Sequence, residues 1–133
     1  MILVHSKLGK SSKHGIGLFA DQFIPKDTVT WQYHPFYDSS FTDEEVNQMS
    51  ESARKQFLHY AYFDKELNKH VLCLDDQRFI NHSAVKEDIN IASSPHQDVA
   101  IRDIQKGEEL FCDYDDFDDS YFPRMNINKG NLK

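Results

Sequence analysis

The run Arg78-Phe79-Ile80-Asn81-His82-Ser83 constrains this chain more than any other stretch. Three consecutive polar side chains follow an apolar pair, and polar groups are costly to bury unless each finds hydrogen-bond partners. A fold that accommodates the run must supply several buried partners, or a ligand. An isolated Asn-His-Ser triplet is more commonly a polar loop after a strand. The rest of the sequence has to decide between the two.

At 133 residues the chain fits one domain, residues 1–133, long enough to bury most of its apolar surface without disulfide or metal staples. Hydrophobic residues at 39% and aromatics at 13% describe a folded domain and not an acidic disordered segment. No window approaches the roughly 18 apolar residues of a membrane span, and Met1-Ile2-Leu3-Val4-His5 lacks the apolar stretch of a signal peptide. The expectation is a soluble intracellular protein, cytoplasmic or nuclear. The formal charge of −7 argues against a phosphate backbone as partner and favours a cationic one. Cys73 and Cys112 each sit in an apolar run, which suits buried reduced thiols. The seven histidines form no HxH or HExxH spacing, so no metal site is expected.

Turn residues punctuate the chain into short strands. Ile2–His5 is expected as a first strand, followed by a basic, small-residue loop over Lys7–His14. The glycine pair of Gly15-Ile16-Gly17 is expected to mark a bulge, where backbone can approach another strand or a ligand. A turn with Pro25 at its second position leads to a strand over Val29–Tyr33, ended by His34-Pro35. Thr42-Asp43-Glu44-Glu45 has the capping-box arrangement and starts a short helix, and a second helix is expected over Ser52–Leu58. Two strands flank the polar turn at Asp64–Lys69, an irregular polar segment covers Ala84–Gln97, and further strands are expected at Asp98–Ile101 and Leu110–Tyr114 around a turn at Gln105-Lys106-Gly107. One internal echo stands out: Ala20, Ile24 and Lys26 recur as Ala100, Ile104 and Lys106, each displaced by 80 positions (104 − 24).

In order, Gly15-Ile16-Gly17, Tyr33, Arg78-Phe79-Ile80-Asn81-His82-Ser83 and Gly107-Glu108-Glu109-Leu110-Phe111-Cys112-Asp113-Tyr114 resemble the successive motifs of the SET-domain lysine methyltransferases, over about Gly15 to Tyr114. The resemblance implies a mainly β fold, the β-clip of several small sheets with short helices, in which the C-terminal segment threads under a loop beside Asn81-His82-Ser83. It further implies that S-adenosylmethionine binds on one face, while a lysine of a basic, histone-like protein enters a narrow channel from the other. Neither nucleic acid nor membrane is an implied partner. Gly15, Ile16 and Gly17 would offer backbone groups to the cofactor's amino-acid end, Arg78 would lie along its pocket, and Asn81 and His82 would contact its polar groups. Tyr60 is a further cofactor candidate, since it precedes the strand that carries a cofactor-contacting tyrosine in many members. Tyr114 would be the catalytic tyrosine, and Tyr33 would line the lysine channel.

The chemistry suits those residue types. Methyl transfer from a sulfonium to a neutral amine needs alignment, a dry channel that disfavours the ammonium, and aromatic faces that favour cations, but neither metal nor ionised tyrosine. Three features depart from the family pattern. Pro35 replaces a glycine, the segment after Ser83 runs Ala84-Val85-Lys86-Glu87-Asp88-Ile89-Asn90, and no cysteine-rich tail follows. Tyr121, Phe122 and Pro123 are therefore expected to fold back as a lid within the tail 115–133, with Asp113, Asp115, Asp116, Asp118 and Asp119 at the channel mouth. The same departures leave a second reading open, a SET-like binding module that keeps the fold and the cofactor site without turnover.

Overall fold

Ten strands form, none longer than five residues, and such short strands can build only small sheets. The structure, a computed structural model, describes residues 1–133. β1 (Ser6–Lys10) pairs antiparallel with β2 (Ile16–Ala20). β3 (Val29–Gln32), β9 (Gln97–Ala100) and β8 (Ile91–Ser93) make a three-stranded sheet in the order β3-β9-β8. β4 (Ser39–Phe41), β6 (Lys69–Leu72) and β5 (Tyr62–Asp64) make another. β7 (Asn81–His82) runs parallel to β10 (Phe111–Cys112). Between β4 and β5 lie two helices, α1 (Asp43–Asn47) and α2 (Glu51–Tyr60). The predicted capping box on α1 is present, with the Thr42 side chain on Glu45 N–H and the Glu45 side chain on Thr42 N–H. α2 starts one residue earlier than expected, where Ser50 caps it, and runs two residues further to Tyr60, and of its apolar residues Phe57 is buried while Ala53 faces solvent.

Several sequence expectations are corrected. Ile2–His5 is not a strand: Ile2 makes one bridge to Trp31, and regular pairing begins at Ser6, so Lys7–Lys10 is strand and not loop. Gly9 belongs there because a Cβ would come within 2.9 Å of the Phe19 ring across the ladder. Gly15-Ile16-Gly17 holds no bulge, since β1 and β2 pair residue for residue from Ser6–Ala20 to Lys10–Ile16. Gly15 instead takes φ +54 in the turn before β2. The turn after Ile24 runs Pro25-Lys26-Asp27-Thr28, one residue later than expected, with Pro25 first. The polar segment after Ser83 contains β8, held by pairing with β9 more than by its own apolar content. The last predicted strand is cut to Phe111–Cys112, because Tyr114–Asp116 turns as a 3-10 helix capped by Asp113.

The internal echo is a local two-fold relation. Ile24 and Ile104 exchange both backbone hydrogen bonds, at 2.9 and 2.8 Å. Asp27 N–H donates to Ala100 O and Gly107 N–H to Ala20 O, both at 2.8 Å, so positions 80 apart make the same bonds. Asp27 and Gly107 both take positive φ. These units carry the main core of Leu18, Ala20, Ile24, Ile80, Ile91, Ala100, Ile104, Leu110 and Cys112. Trp31, Tyr62, Val71 and Cys73 form a second cluster beside it.

The segment Glu109–Cys112 is gripped on both edges. Ser83 N–H donates to Cys112 O on one side, while Asn90 N–H donates to Phe111 O on the other. The fully buried Asn90 side chain completes the grip, donating to Glu109 O at 2.8 Å and accepting from Phe111 N–H at 2.9 Å. The loop from Ser83 to Asn90 thus straddles the C-terminal strand, and the free Cys112 is sealed beneath it.

Candidate functional site

Where β7 and β10 run side by side, their ends bring His82 and Tyr114 together. Tyr114 N–H donates to His82 Nδ1 at 3.3 Å, and the Tyr114 hydroxyl donates to Ile80 O at 2.7 Å. Burial pushes the Tyr114 phenol well above its ordinary range, so it stays protonated. Burial also pushes the His82 imidazole down, outweighing the Asp113 carboxylate 3.5 Å away. A neutral His82 whose Nδ1 accepts carries its proton on Nε2.

An open cleft of about 470 Å³ lies on one side of Tyr114. Seven of the nine residues singled out from the sequence line it: Gly15, Ile16, Tyr60, Arg78, Asn81, His82 and Tyr114. Asn81 is fixed by its amide, which donates to His14 O at 3.1 Å and Ile16 O at 3.0 Å and so ties the turn before β2 to β7. Arg78 lies over the Phe79 ring at 5.2 Å and makes no ion pair, and no acidic side chain lines the cleft. The outer wall comes from the tail, through Phe122 of α3 (Tyr121–Arg124) and through Ile127 and Leu132.

A second, smaller space of about 60 Å³, the channel, adjoins the cleft. Trp31, Tyr62, Phe117 and Tyr121 supply aromatic walls, with Gln77, Ser93 and Asp98 as polar positions. Tyr114, Tyr60, Arg78, His59 and Tyr121 line both spaces, so the two meet at Tyr114. The Tyr114 ring is itself boxed in, stacked on Phe122 at 5.7 Å and edge-on to Tyr121 at 5.1 Å and Phe117 at 5.6 Å.

Two of the nine residues lie elsewhere. Gly17 lines neither space, because it faces the Glu109 carboxylate, which a Cβ there would overlap. Tyr33 also lines neither: one residue past β3, it packs on His96 at 5.7 Å and against the Trp31 cluster, behind the channel wall. Trp31 and Tyr62 occupy the wall instead, since the ladder slips between Val29 and Trp31 and leaves consecutive residues Thr30 and Trp31 buried. Tyr62 is locked by its hydroxyl donating to Pro95 O at 2.6 Å.

The sequence reading missed Tyr62, Phe117 and Asp98 as lining residues. For Asp98 a signal existed, an acid two positions before Ala100 on the inward face of a strand. The acidic run is also corrected. Asp118 is buried and paired with Arg124 at 2.9 Å, Asp115 pairs with Lys129 at 2.6 Å and Asp119 with Lys65 at 2.9 Å. Pro35 and the segment Ala84–Asn90 line neither space.

Comparison with known proteins bears on the family and the fold. The family model for the SET domain matches residues 15–115. No curated protein matches the chain in sequence. A histone-methyltransferase candidate of Plasmodium falciparum superposes with a TM-score of 0.60 at 23% identity, over 85% of this chain and 95% of that one. The SET domain of ATXR5, solved with a dimethylated histone H3, gives a TM-score of 0.62 at 19% identity, over 85% of this chain and 58% of that one. Polycomb Repressive Complex 2 of Chaetomium thermophilum, bound to S-adenosylmethionine, gives 0.62 at 24% identity, over 91% of this chain and 16% of that one. The chain thus spans nearly all of the Plasmodium chain and under two thirds of the other two. At these identities the likeness is one of fold.

Proposed function

The chain belongs to the SET-domain family, and from that premise we propose that it transfers a methyl group from S-adenosylmethionine to the ε-amine of a lysine in a basic, histone-like protein. The observation that carries this reading is the position of Tyr114, shared by an open cleft and a smaller, largely aromatic channel. A donor held in the first and an amine extended through the second would meet there, and such alignment is most of what an in-line displacement needs.

The residues present fit the cofactor. Arg78, unpaired and in a cleft without acidic side chains, suits the carboxylate of its amino-acid end, together with the backbone around Gly15 and Ile16. Asn81 holds that backbone in place, and His82 Nε2–H remains free to donate. Tyr60, packed on Phe79 at 5.3 Å, and Phe122 offer aromatic faces to the nucleoside and to the cation. When bound, the cofactor supplies a methyl group on a sulfonium.

This chain's own residues do the rest. The Tyr114 hydroxyl spends its proton on Ile80 O, so its oxygen lone pairs are what it presents to an incoming amine. Trp31, Tyr62, Phe117 and Tyr121 exclude water along the channel and disfavour the ammonium form of the lysine. Their faces also stabilise the methylammonium product. The charge of −7 supports a cationic peptide as partner, and the free, buried Cys73 and Cys112 are in keeping with an intracellular site of action.

The test is incubation of the purified protein with labelled S-adenosylmethionine and a panel of basic proteins. Label recovered on lysine is the expected result. Saturable cofactor binding with no transfer to any of them would make the chain a binding module instead.

A further inference from the structure

Asp98 sits at the centre of the β3-β9-β8 sheet, with Trp31 opposite it on one side and Ser93 on the other. All three line the channel together with Gln77 and Tyr114. A buried carboxylate is an expensive thing to build into such a wall, and its only side-chain hydrogen bond is one from Gln77 Nε2 at 2.5 Å. Trp31 Nε1 and Ser93 Oγ, beside it, are buried with no hydrogen-bond partner, although native proteins pair nearly all such atoms. Ser93 approaches the carboxyl without completing a bond. This row therefore keeps hydrogen-bonding capacity in reserve at the wall of a channel whose lining is largely aromatic and apolar.

A lysine ammonium brings three donors, and the oxygens of Asp98, Ser93 and Tyr114 are acceptors lining one channel. Resting on the methyltransferase reading, we infer that Asp98 meets the substrate ammonium and takes its proton. The Nζ–H bond breaks and an Oδ–H bond forms, so an ammonium and a carboxylate become a neutral amine and a neutral carboxylic acid. No net charge enters or leaves the channel, and the amine is left with the lone pair that methyl transfer requires. The proton passes to water when the product leaves.

Burial makes the acceptor usable. It pushes the Asp98 carboxyl up to about 7, against the opposing influence of Ser93, Gln77 and the amino terminus. An exposed carboxyl near 3.9 is a poor acceptor from a lysine near 10.4, and burial closes about half that gap. Among the other ionisable groups lining the channel or close to the carboxyl, Arg78 is a fixed cation, while the Cys73 and Cys112 thiols and the Tyr62, Tyr114 and Tyr121 phenols are pushed up by burial and neutral near pH 7. His59, where channel meets cleft, is pushed down by burial and by His14.

The experiment compares the full-length protein with Asp98→Asn, which preserves shape and an acceptor for Gln77. In the wild type, kcat/KM for a lysine peptide should rise as pH increases through about 7. Asp98→Asn should lose that rise and fall about 10²-fold below wild type on the alkaline plateau. A second readout needs neither turnover nor a variant: without cofactor, wild-type preference for a lysine peptide over its norleucine analogue should grow about tenfold from about pH 6 to about pH 8.5. An Asp98→Asn protein with wild-type rate and pH profile overturns the inference, as does a wild-type preference that does not change with pH. A wild type that shows the preference but transfers no label overturns the methyltransferase reading, and the proton transfer with it.

Discussion

At the scale of the residue, Gly17 shows how a motif position can serve a purpose other than the one its pattern implies. The side of Gly17 that a Cβ would occupy is filled by the Glu109 carboxylate, which accepts from Ser12 N–H and from the Asn81 amide, both at 3.3 Å. A Gly17→Ala variant must displace that carboxylate and strand its partners. The expected cost is about 2–3 kcal/mol of stability in denaturant unfolding, with cofactor affinity reduced through Asn81. An Ala variant that unfolds at the wild-type midpoint would remove Glu109 from this role. Nothing local in the sequence points to the arrangement, because glycine and carboxylate lie 92 positions apart (109 − 17). Gly15 and Ile16 were placed beside the cleft by the family resemblance alone, since their own residues read as a bulge that the β1–β2 ladder does not contain. Tyr33 was misplaced by one slip of register between Val29 and Trp31, which puts Trp31 in the channel wall and Tyr33 behind it.

At the scale of the element, the capped start of α1 was legible and strand partners were not. The α1 capping box is a four-residue code, whereas β8 exists because β9 pairs with it, and its own residues look like polar loop. The tail was legible in outline only. Tyr121 and Phe122 do fold back onto Tyr114 and His82, but α3 is also bolted down from below. Arg124 clamps the buried Asp118, which accepts Phe63 N–H at 2.9 Å, and the Tyr121 hydroxyl donates to His59 O at 2.8 Å. Truncation after Asp119 should therefore cost stability as well as activity, since it leaves Asp118 buried without its cation. Truncation after Asn126 separates the two effects. It keeps α3 and removes Ile127, Asn131, Leu132 and Lys133 from the cleft wall, together with the Lys133 O partner of Ala84 N–H and the exposed Asp115–Lys129 pair. Titration calorimetry should then show cofactor affinity about tenfold weaker, roughly 1.4 kcal/mol, with thermal melting little changed. Wild-type affinity in that truncation would mean that residues 127–133 cover the cleft without contributing to binding.

At the scale of the whole molecule, the echo of Ala20, Ile24 and Lys26 eighty residues on was the part of the architecture most directly visible in the sequence, and it corresponds to paired hydrogen bonds at the heart of the main core. Charge was legible in sum but not in distribution. Three of the five aspartates near Tyr114 are held by Lys65, Arg124 and Lys129, leaving Asp113 and Asp116 without a lysine or arginine partner. The KM for a basic peptide should rise only shallowly with salt, since exposed charges are screened over about 8–10 Å at physiological ionic strength and few here are free. A steep salt dependence would place the peptide on another acidic surface. The central claim is that transfer happens at Tyr114, where cleft and channel join, and single-turnover methylation of a lysine peptide by wild type and Tyr114→Phe tests it most directly. The account predicts transfer slowed by about 10²-fold or more, cofactor affinity within about twofold of wild type, and a stability loss of about 1–3 kcal/mol from the unpaired Ile80 carbonyl. A Tyr114→Phe protein that transfers methyl at the wild-type rate would contradict it.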